Sequence, residues 1–245
     1  MLKQKVSIGL MALVVGLLAA SAGQGRDLLQ NAQADVFVLG GGSTLVDATT
    51  YLTAGRTYHS RFELGPKGTV GVAVPFGKLL SVETAFTMGP NNLFLANENI
   101  FPHSAPGASL TYPSRTYIGS MSAVVHSPAT WRHLRPYAAG GIEYDRFSPT
   151  PGAKSTALSD GFGPVVTDVI IAHNDKFGLN LGGGLDRKLT KRLTFRIDFR
   201  DHVTGSPAFG LPPVQTLDSN AVFPAKGHAH DLVYTAGILF HVGKF

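Results

Sequence analysis

Apolar and polar residues alternate over the segment from Leu193 to Phe199, which reads Leu-Thr-Phe-Arg-Ile-Asp-Phe. Successive side chains of an extended strand point to opposite faces. Four large apolar side chains therefore share one face of this segment, and Thr194, Arg196 and Asp198 share the other. The pattern predicts a β-strand that separates an apolar environment from a polar one.

Similar alternation recurs along the chain and predicts eight strands. Most have the roughly nine to twelve residues that a tilted strand needs to cross the hydrocarbon layer of a membrane. The second segment is short, and an extension back through residues 58–64, interrupted at Gly65-Pro66, would lengthen it. The predicted strands are residues 35–45, 69–76, 79–88, 115–126, 136–147, 176–186, 193–203 and 231–242.

The connections between these strands alternate between long and short. Bacterial membrane barrels sort their connections in this way, with short periplasmic turns and long outer loops. The sequence therefore predicts an all-β fold, an eight-stranded antiparallel up-and-down transmembrane β-barrel with four long outer loops. Stretches such as Gly89-Pro90-Asn91-Asn92 predict irregular loops. The long connections are residues 46–68, 89–114, 148–175 and 204–230, and the short ones are 77–78, 127–135 and 187–192.

In such a barrel the apolar face of each strand meets lipid and the polar face lines the bore. The opposite orientation of the seventh predicted strand would place Arg196 and Arg200 in lipid, at a cost of about 2 to 4 kcal/mol each near the midplane. Charged side chains inside the bore must pair with one another to remain buried. We therefore predict an internal ion-pair ladder formed by Glu83, Glu143, Asp145, Asp186, Arg196, Asp198, Arg200 and His202.

Aromatic residues near the strand ends form a further group. Tyr and Trp rings concentrate at the two interfaces between membrane and water. We predict interfacial positions for Tyr117, Trp131, Tyr137, Tyr144 and Tyr234.

The N-terminal residues predict an export signal. Lys3 and Lys5 precede an apolar stretch over residues 6–20, and Ala20-Ser21-Ala22 provides a small-residue cleavage site. We predict a signal peptide at residues 1–22, a periplasmic lead at 23–34 and the barrel domain at 35–245. An uncleaved anchor, or cleavage at residues 32–34, are the alternatives.

Composition narrows the function classes. Charged residues make up 15% of the chain, below the roughly 25% of soluble domains, which favours a membrane protein. The chain has no Cys, so disulfides and thiolate metal sites are excluded. Loss of Lys3 and Lys5 with the signal leaves 19 basic residues against 16 acidic ones. This small, dispersed excess is compatible with anionic lipid head groups and argues against nucleic-acid binding.

Several glycine-rich strands support a family resemblance. They are residues 37–42 (Phe-Val-Leu-Gly-Gly-Gly), 135–141 (Arg-Pro-Tyr-Ala-Ala-Gly-Gly) and 182–185 (Gly-Gly-Gly-Leu), followed by the terminal strand to Phe245. In their order and loop lengths they resemble the eight-stranded outer-membrane barrels of the OmpA transmembrane domain, OmpX and opacity-protein type. The peptidoglycan-binding domain of full-length OmpA-type proteins has no counterpart in the printed sequence, and we expect no cell-wall anchoring.

The resemblance implies a location and partners. It implies integral insertion in the bacterial outer membrane, contact with outer-membrane lipid and lipopolysaccharide, and assembly by periplasmic chaperones and the barrel-assembly machinery. It also implies a terminal aromatic assembly signal. Phe245 is out of phase with the lipid face of its strand, so this signal is either Phe245 displaced by a bulge at Gly243, or Phe240.

The residues offer weak support for catalysis or metal binding. His202, Asp201 and Ser206 near one strand end, or His126-Ser127 at a turn, are candidates for a lipid-modifying hydrolase, but no nucleophile-base spacing is visible. His228 and His230 share one face and form half of a metal site that would need His173 or His103. We expect no cofactor, no metal and no enzymatic activity.

The leading hypothesis is a structural or surface-interaction role through the four outer loops. An eight-stranded barrel is filled by its own side chains, which argues against an open porin. The alternatives are a rim-located hydrolase of the outer membrane and a soluble periplasmic ligand-binding barrel. The sequence does not identify a ligand of the loops.

Overall fold

The structure is a computed structural model that describes residues 34–46, 49–53, 56–97, 109–131, 133–152, 172–209 and 227–243. Within these ranges, no helix is long and apolar enough to cross a membrane. The strands of the described residues are β1 (Ala34–Val46), β2 (Thr49–Thr53), β3 (Arg56–Phe62), β4 (Gly65–Phe76), β5 (Leu80–Pro90), β6 (Leu93–Asn97), β7 (Ser109–Tyr112), β8 (Ser114–His126), β9 (Leu134–Pro149), β10 (Asn174–Lys188), β11 (Leu193–Gly205) and β12 (His228–Val242).

Eight of these strands close into one antiparallel barrel. Their order around the wall is β1, β12, β11, β10, β9, β8, β5 and β4. β1 closes the barrel because it pairs with β4 on one side and with β12 on the other, where Ala34 lies opposite Val242. Closure leaves no unpaired strand edge in the wall. Each of the eight predicted strands coincides with one barrel strand, so the predicted fold class is confirmed.

The two ends of the barrel differ in their connections. At the end that we call the turn end, residues 77–79, 127–133 and 189–192 join β4 to β5, β8 to β9 and β10 to β11. The long connections leave the opposite end, the loop end. The predicted signal peptide and lead lie outside the described residues, except for Ala34, the first residue of β1.

The first two long connections contain strands, whereas the sequence analysis assigned these connections to loops and allowed a strand only over residues 58–64. β2, β3, β6 and β7 form a separate four-stranded sheet, in that order. Hydrogen bonds from Glu63 N to Asn92 O and from Asn91 N to Ser114 O, both 2.9 Å long, continue the pairing from the barrel toward this sheet. The prediction was wrong here because the Thr-, Tyr- and Phe-rich segments between the turn residues favour strands.

β4 also differs from its prediction at one end. It begins at Gly65 and runs through Pro66 without the expected interruption. Pro66 lies opposite Gly42 of β1 with an exposed side chain, and the following residue, Lys67, faces the bore and is buried. The interior lysine was therefore missed.

The barrel is apolar outside and polar inside. Along β11, Arg196 is 1% exposed and the next residue, Ile197, is 49% exposed. The same alternation holds in the other wall strands, because successive side chains of a strand point to opposite faces. Large apolar residues of the outer face include Val36, Val38, Val70, Val74, Phe86, Met88, Met121, Val125, Ile142, Phe177, Leu179, Leu181, Phe199 and Tyr234.

Two interior glycines allow neighbouring strands of this narrow barrel to approach closely. A Cβ atom at Gly182 of β10 would lie 2.1 Å from the carbonyl oxygen of Phe199 on β11. A Cβ atom at Gly141 of β9 would lie 1.9 Å from the carbonyl oxygen of Met121 on β8. Backbone atoms cannot move aside as a flexible side chain can, so these positions need glycine.

Candidate functional site

A chain of ion pairs crosses the bore between two opposite strands of the wall. Glu83 extends from β5, and Arg196 and Arg200 extend from β11, four positions away in the ring of eight strands. One oxygen of Glu83 accepts a hydrogen bond from Nη1 of Arg196, and the other accepts one from Nη2 of Arg200 at 2.7 Å. Glu83 therefore links both guanidinium groups across the full width of the barrel.

Asp186 on the neighbouring strand β10 and Asp198 on β11 itself are further acceptors for the two arginines. Asp186 accepts from Nε and Nη2 of Arg196 at 2.8 and 2.9 Å. Asp198 accepts from Nε of Arg200 at 2.9 Å and from the hydroxyl of Tyr137. We call Glu83, Tyr137, Asp186, Arg196, Asp198 and Arg200 the crossing network.

The Tyr137 ring also contacts the crossing network directly. Cζ of Arg196 lies 4.4 Å from the ring centroid, a cation–π distance. The residue is 6% exposed. Its predicted interfacial position was wrong, because odd-numbered residues of β9 face the bore. Of the other predicted interfacial rings, Trp131 is 65% exposed at the turn end, and those of Tyr117, Tyr144 and Tyr234 lie on the outer face.

A second group of charges lies nearer the loop end. His202 Nδ1 is 2.5 Å from Glu143 Oε2, and Lys67 Nζ is 3.2 Å from Asp231 Oδ2. Asp145 is 1% exposed, and its Oδ1 atom forms no hydrogen bond within the described part of the chain. We call Lys67, Glu143, Asp145, His202 and Asp231 the loop-end network. It combines three carboxylates with one ammonium group and one imidazole.

All eight residues predicted for the ion-pair ladder have buried side chains facing the bore, divided between these two networks. The sequence analysis missed Lys67 and Asp231. Asp231 shares the inward, odd-numbered phase of β12, and this phase could have identified it. Lys67 was outside the predicted strand. Ser122 and Asn180, which hydrogen-bond at 2.7 Å, are further interior partners.

A small cavity of about 20 Å³ lies in the bore beside Arg196, Arg200 and His202. Roughly 10 to 15 Å³ holds one water molecule. The cavity therefore suits water and is too small for an organic ligand.

The structure does not bring together the hydrolase candidates. His202 faces the bore and bonds Glu143, whereas Asp201 faces outward and lies 2.9 Å from His230 Nδ1. The wall of the barrel thus separates the acid from the imidazole. Ser206 is buried just beyond β11, and the other candidate, His126, lies 3.2 Å from Asp186.

The histidine pair of the proposed metal half-site lies on the outer face at the loop end, with His228 and His230 both exposed. His173 contacts Asp175 at 3.6 Å, and His103 lies outside the described residues. Where the chain is described, no three His, Cys, Asp or Glu side chains are grouped so as to hold a metal ion.

The residues proposed for the assembly signal lie at the end of β12. Phe240 is exposed on the outer face, Gly243 has a φ of 134°, and Phe245 is outside the described residues.

Comparison with known proteins finds similar structures. No protein-family model and no curated protein sequence matches the chain. The outer membrane protein OprG from Pseudomonas aeruginosa is 12% identical, with 88% of this chain and 99% of that chain covered and a TM-score of 0.54. Neisserial surface protein A is 14% identical (84% and 96% covered, TM-score 0.49), and AlkL, solved in lipid bilayers, is 13% identical (88% and 92%, TM-score 0.49).

These comparisons and the geometry define the class of protein. At sequence identities this low, structural similarity is evidence for the fold alone. The comparison with OprG, which has a TM-score of 0.54, supports the fold here. A closed eight-stranded barrel with an apolar exterior and a charged interior is the architecture of bacterial outer-membrane β-barrels. The chain has the fold of these eight-stranded outer-membrane β-barrels.

Proposed function

We propose that this protein is a non-enzymatic outer-membrane barrel with a structural or surface-interaction role, and that its bore is closed to bulk diffusion. The observation that carries the proposal is the crossing network, in which Glu83 of β5 contacts Arg196 and Arg200 of the opposite strand β11. Side chains that meet across the diameter obstruct an aqueous path along the bore. Barrels with an open aqueous channel have about 16 to 18 strands.

Electrical recording tests the closed bore. The purified protein is inserted in planar lipid bilayers, with a 16-stranded porin as the positive control. We expect no stable conductance steps of porin size. Long-lived openings of that size would contradict the proposal.

A surface role requires that the loop end faces outward. Short turns of bacterial barrels lie in the periplasm, and the β2-β3-β6-β7 sheet would then form an ordered platform outside the cell. The absence of Cys permits a specific test with introduced cysteines. In intact cells, we expect a membrane-impermeant maleimide to label Leu64→Cys, an exposed position between β3 and β4, and the matched variant Lys191→Cys at the turn end only after permeabilisation. The reverse result would overturn this orientation.

Lipid, lipopolysaccharide and the assembly factors are the partners that we propose for the barrel itself. The apolar outer face supports lipid contact. Phe240, on the outer face of the last strand, is the proposed assembly signal. We expect Phe240→Ala to reduce the amount of assembled protein in the outer membrane more than Phe86→Ala, which removes a similarly exposed ring. Equal effects would exclude a special role for Phe240.

The alternatives have little support. The hydrolase would need His202, Asp201 and Ser206 together, and Asp201 is on the other side of the wall. We expect His202→Ala and Ser206→Ala to leave the release of acyl chains unchanged from the wild-type background. A soluble ligand-binding barrel would expose the apolar belt to water and would need a larger cavity.

A further inference from the structure

The turn end carries a concentration of positive charge that the proposed function does not use. Lys78, Arg187, Lys188, Lys191 and Arg192 are exposed there, and Arg135 is half-buried. The acids of the described residues at this end are already engaged inside the protein. Asp35 lies 2.6 Å from His241 Nδ1, and Asp186 belongs to the crossing network. Among the described residues, the exposed charge of this rim is therefore of one sign.

Arg187 lies at the edge of the lipid-facing surface. It continues the outward row of β10 directly after Leu181 and Leu185. Its register partners are Leu134 of β9 and Phe195 of β11. A guanidinium group that follows an apolar row at the end of a membrane strand extends to the level of the lipid head groups.

The rim at the loop end is organised differently. Arg146 also lies on the outward face, but its Nε atom is 3.2 Å from Asp175 Oδ1. His230 is likewise next to Asp201. Arg146 and His230 at that rim thus have acidic partners within the protein, whereas Arg187 and its neighbours at the turn end face no exposed acid in the described part of the chain.

We propose that the turn-end rim binds the phosphate groups of anionic phospholipids in the adjacent leaflet through Arg187, Lys191 and Arg192. The charge of these residues complements the phosphate, and Arg187 lies where the hydrocarbon layer gives way to head groups. This inference rests on the proposed membrane span. Each basic residue near an anionic lipid surface strengthens association roughly fivefold, and the effect weakens as salt increases.

The single tryptophan provides a local reporter of this rim. Trp131 is the one Trp of the chain and lies at the turn end. It pairs with Leu134, which in turn pairs with Arg187. Two strand spacings, about 10 Å, therefore separate the backbones of Trp131 and Arg187. Quenching of Trp131 by a brominated lipid reports the lipids at the turn end and not those at the other rim.

The experiment compares two brominated lipids. The folded protein is reconstituted in phosphatidylcholine vesicles that contain either brominated phosphatidylglycerol or brominated phosphatidylcholine at the same mole fraction. We expect phosphatidylglycerol to associate at least about tenfold more strongly, and the preference to weaken at about 0.5 M salt. The triple variant Arg187→Gln, Lys191→Gln, Arg192→Gln should lose most of the preference, whereas the matched control Arg146→Gln should keep it.

Two outcomes overturn the proposal. Equal quenching by the two lipids in the wild-type protein would exclude selective binding, and so would an unchanged preference in the triple variant. A folded barrel is recognised by a shift in gel mobility on boiling. If the triple variant does not show this shift, the single variant Arg187→Gln and the salt titration of the wild-type protein test the proposal instead. An absence of quenching by either lipid would instead contradict the membrane span.

Discussion

The crossing network and the loop-end network lie in the same bore but balance their charges differently. In the crossing network every carboxylate contacts a guanidinium group, at 2.7 Å for Glu83, 2.8 Å for Asp186 and 2.9 Å for Asp198. In the loop-end network, Glu143 Oε1 and Asp145 Oδ1 lack a hydrogen-bond partner among the described residues. Buried charges stabilise a fold only when they are paired and hydrogen-bonded. We infer that the crossing network supports the barrel and the loop-end network costs stability.

The largest expected effect comes from removal of the central cation. Arg196→Met keeps the side-chain volume but leaves Asp186 buried without its guanidinium partner. We expect a loss of about 3 to 5 kcal/mol in the free energy of unfolding, measured by urea titration of the protein folded in lipid vesicles. The exposed pair of Arg146 provides the control, and Arg146→Met should cost at most about 1 kcal/mol. Similar losses in both variants would show that burial of the pair is unimportant.

Replacement of an aspartate by asparagine should change the free energy of unfolding in opposite directions in the two networks. Asp186→Asn removes the charge that accepts two bonds from Arg196, and we expect a loss of about 2 to 3 kcal/mol. The charged neighbours of Asp145 include the acids Glu143 and Asp231. Asp145→Asn removes this repulsion, and we expect the free energy of unfolding to increase by about 1 kcal/mol. Equal destabilisation of the two variants in vesicle unfolding would eliminate the difference between the networks.

The smallest expected effect concerns one hydroxyl group. Tyr137→Phe removes the hydrogen bond to Asp198 but keeps the ring against Arg196. Because the acceptor is a buried carboxylate, we expect a loss of about 1.5 kcal/mol in the same assay. Tyr117→Phe, on the outer face, is the control and should change stability by less than about 0.5 kcal/mol. A silent Tyr137→Phe would mean that Asp198 depends on Arg200 alone.

Much of the barrel was predictable from local patterns. The alternation of Phe195, Arg196 and Ile197 predicts both a strand and its two faces, because a strand has a period of two and a misplaced arginine in lipid is costly. The sheet at the loop end was not predicted, because Gly89 and Pro90, which suggested a turn but are the last residues of β5, obscured the short strands that follow. Lys67 was missed for a related reason, since Pro66 suggested a break that strand pairing with β1 overrides.

The sequence by itself determined which side chains face lipid and which face the bore, because the direction of a side chain in a strand depends only on its parity. The tertiary structure determined which charged side chains form ion pairs with one another. Glu83 and Arg196 are 113 residues apart, and they meet because closure of eight strands places β5 and β11 on opposite sides of one narrow bore. Strand order and stagger around a closed wall are properties of the whole chain, so no local pattern encodes that contact.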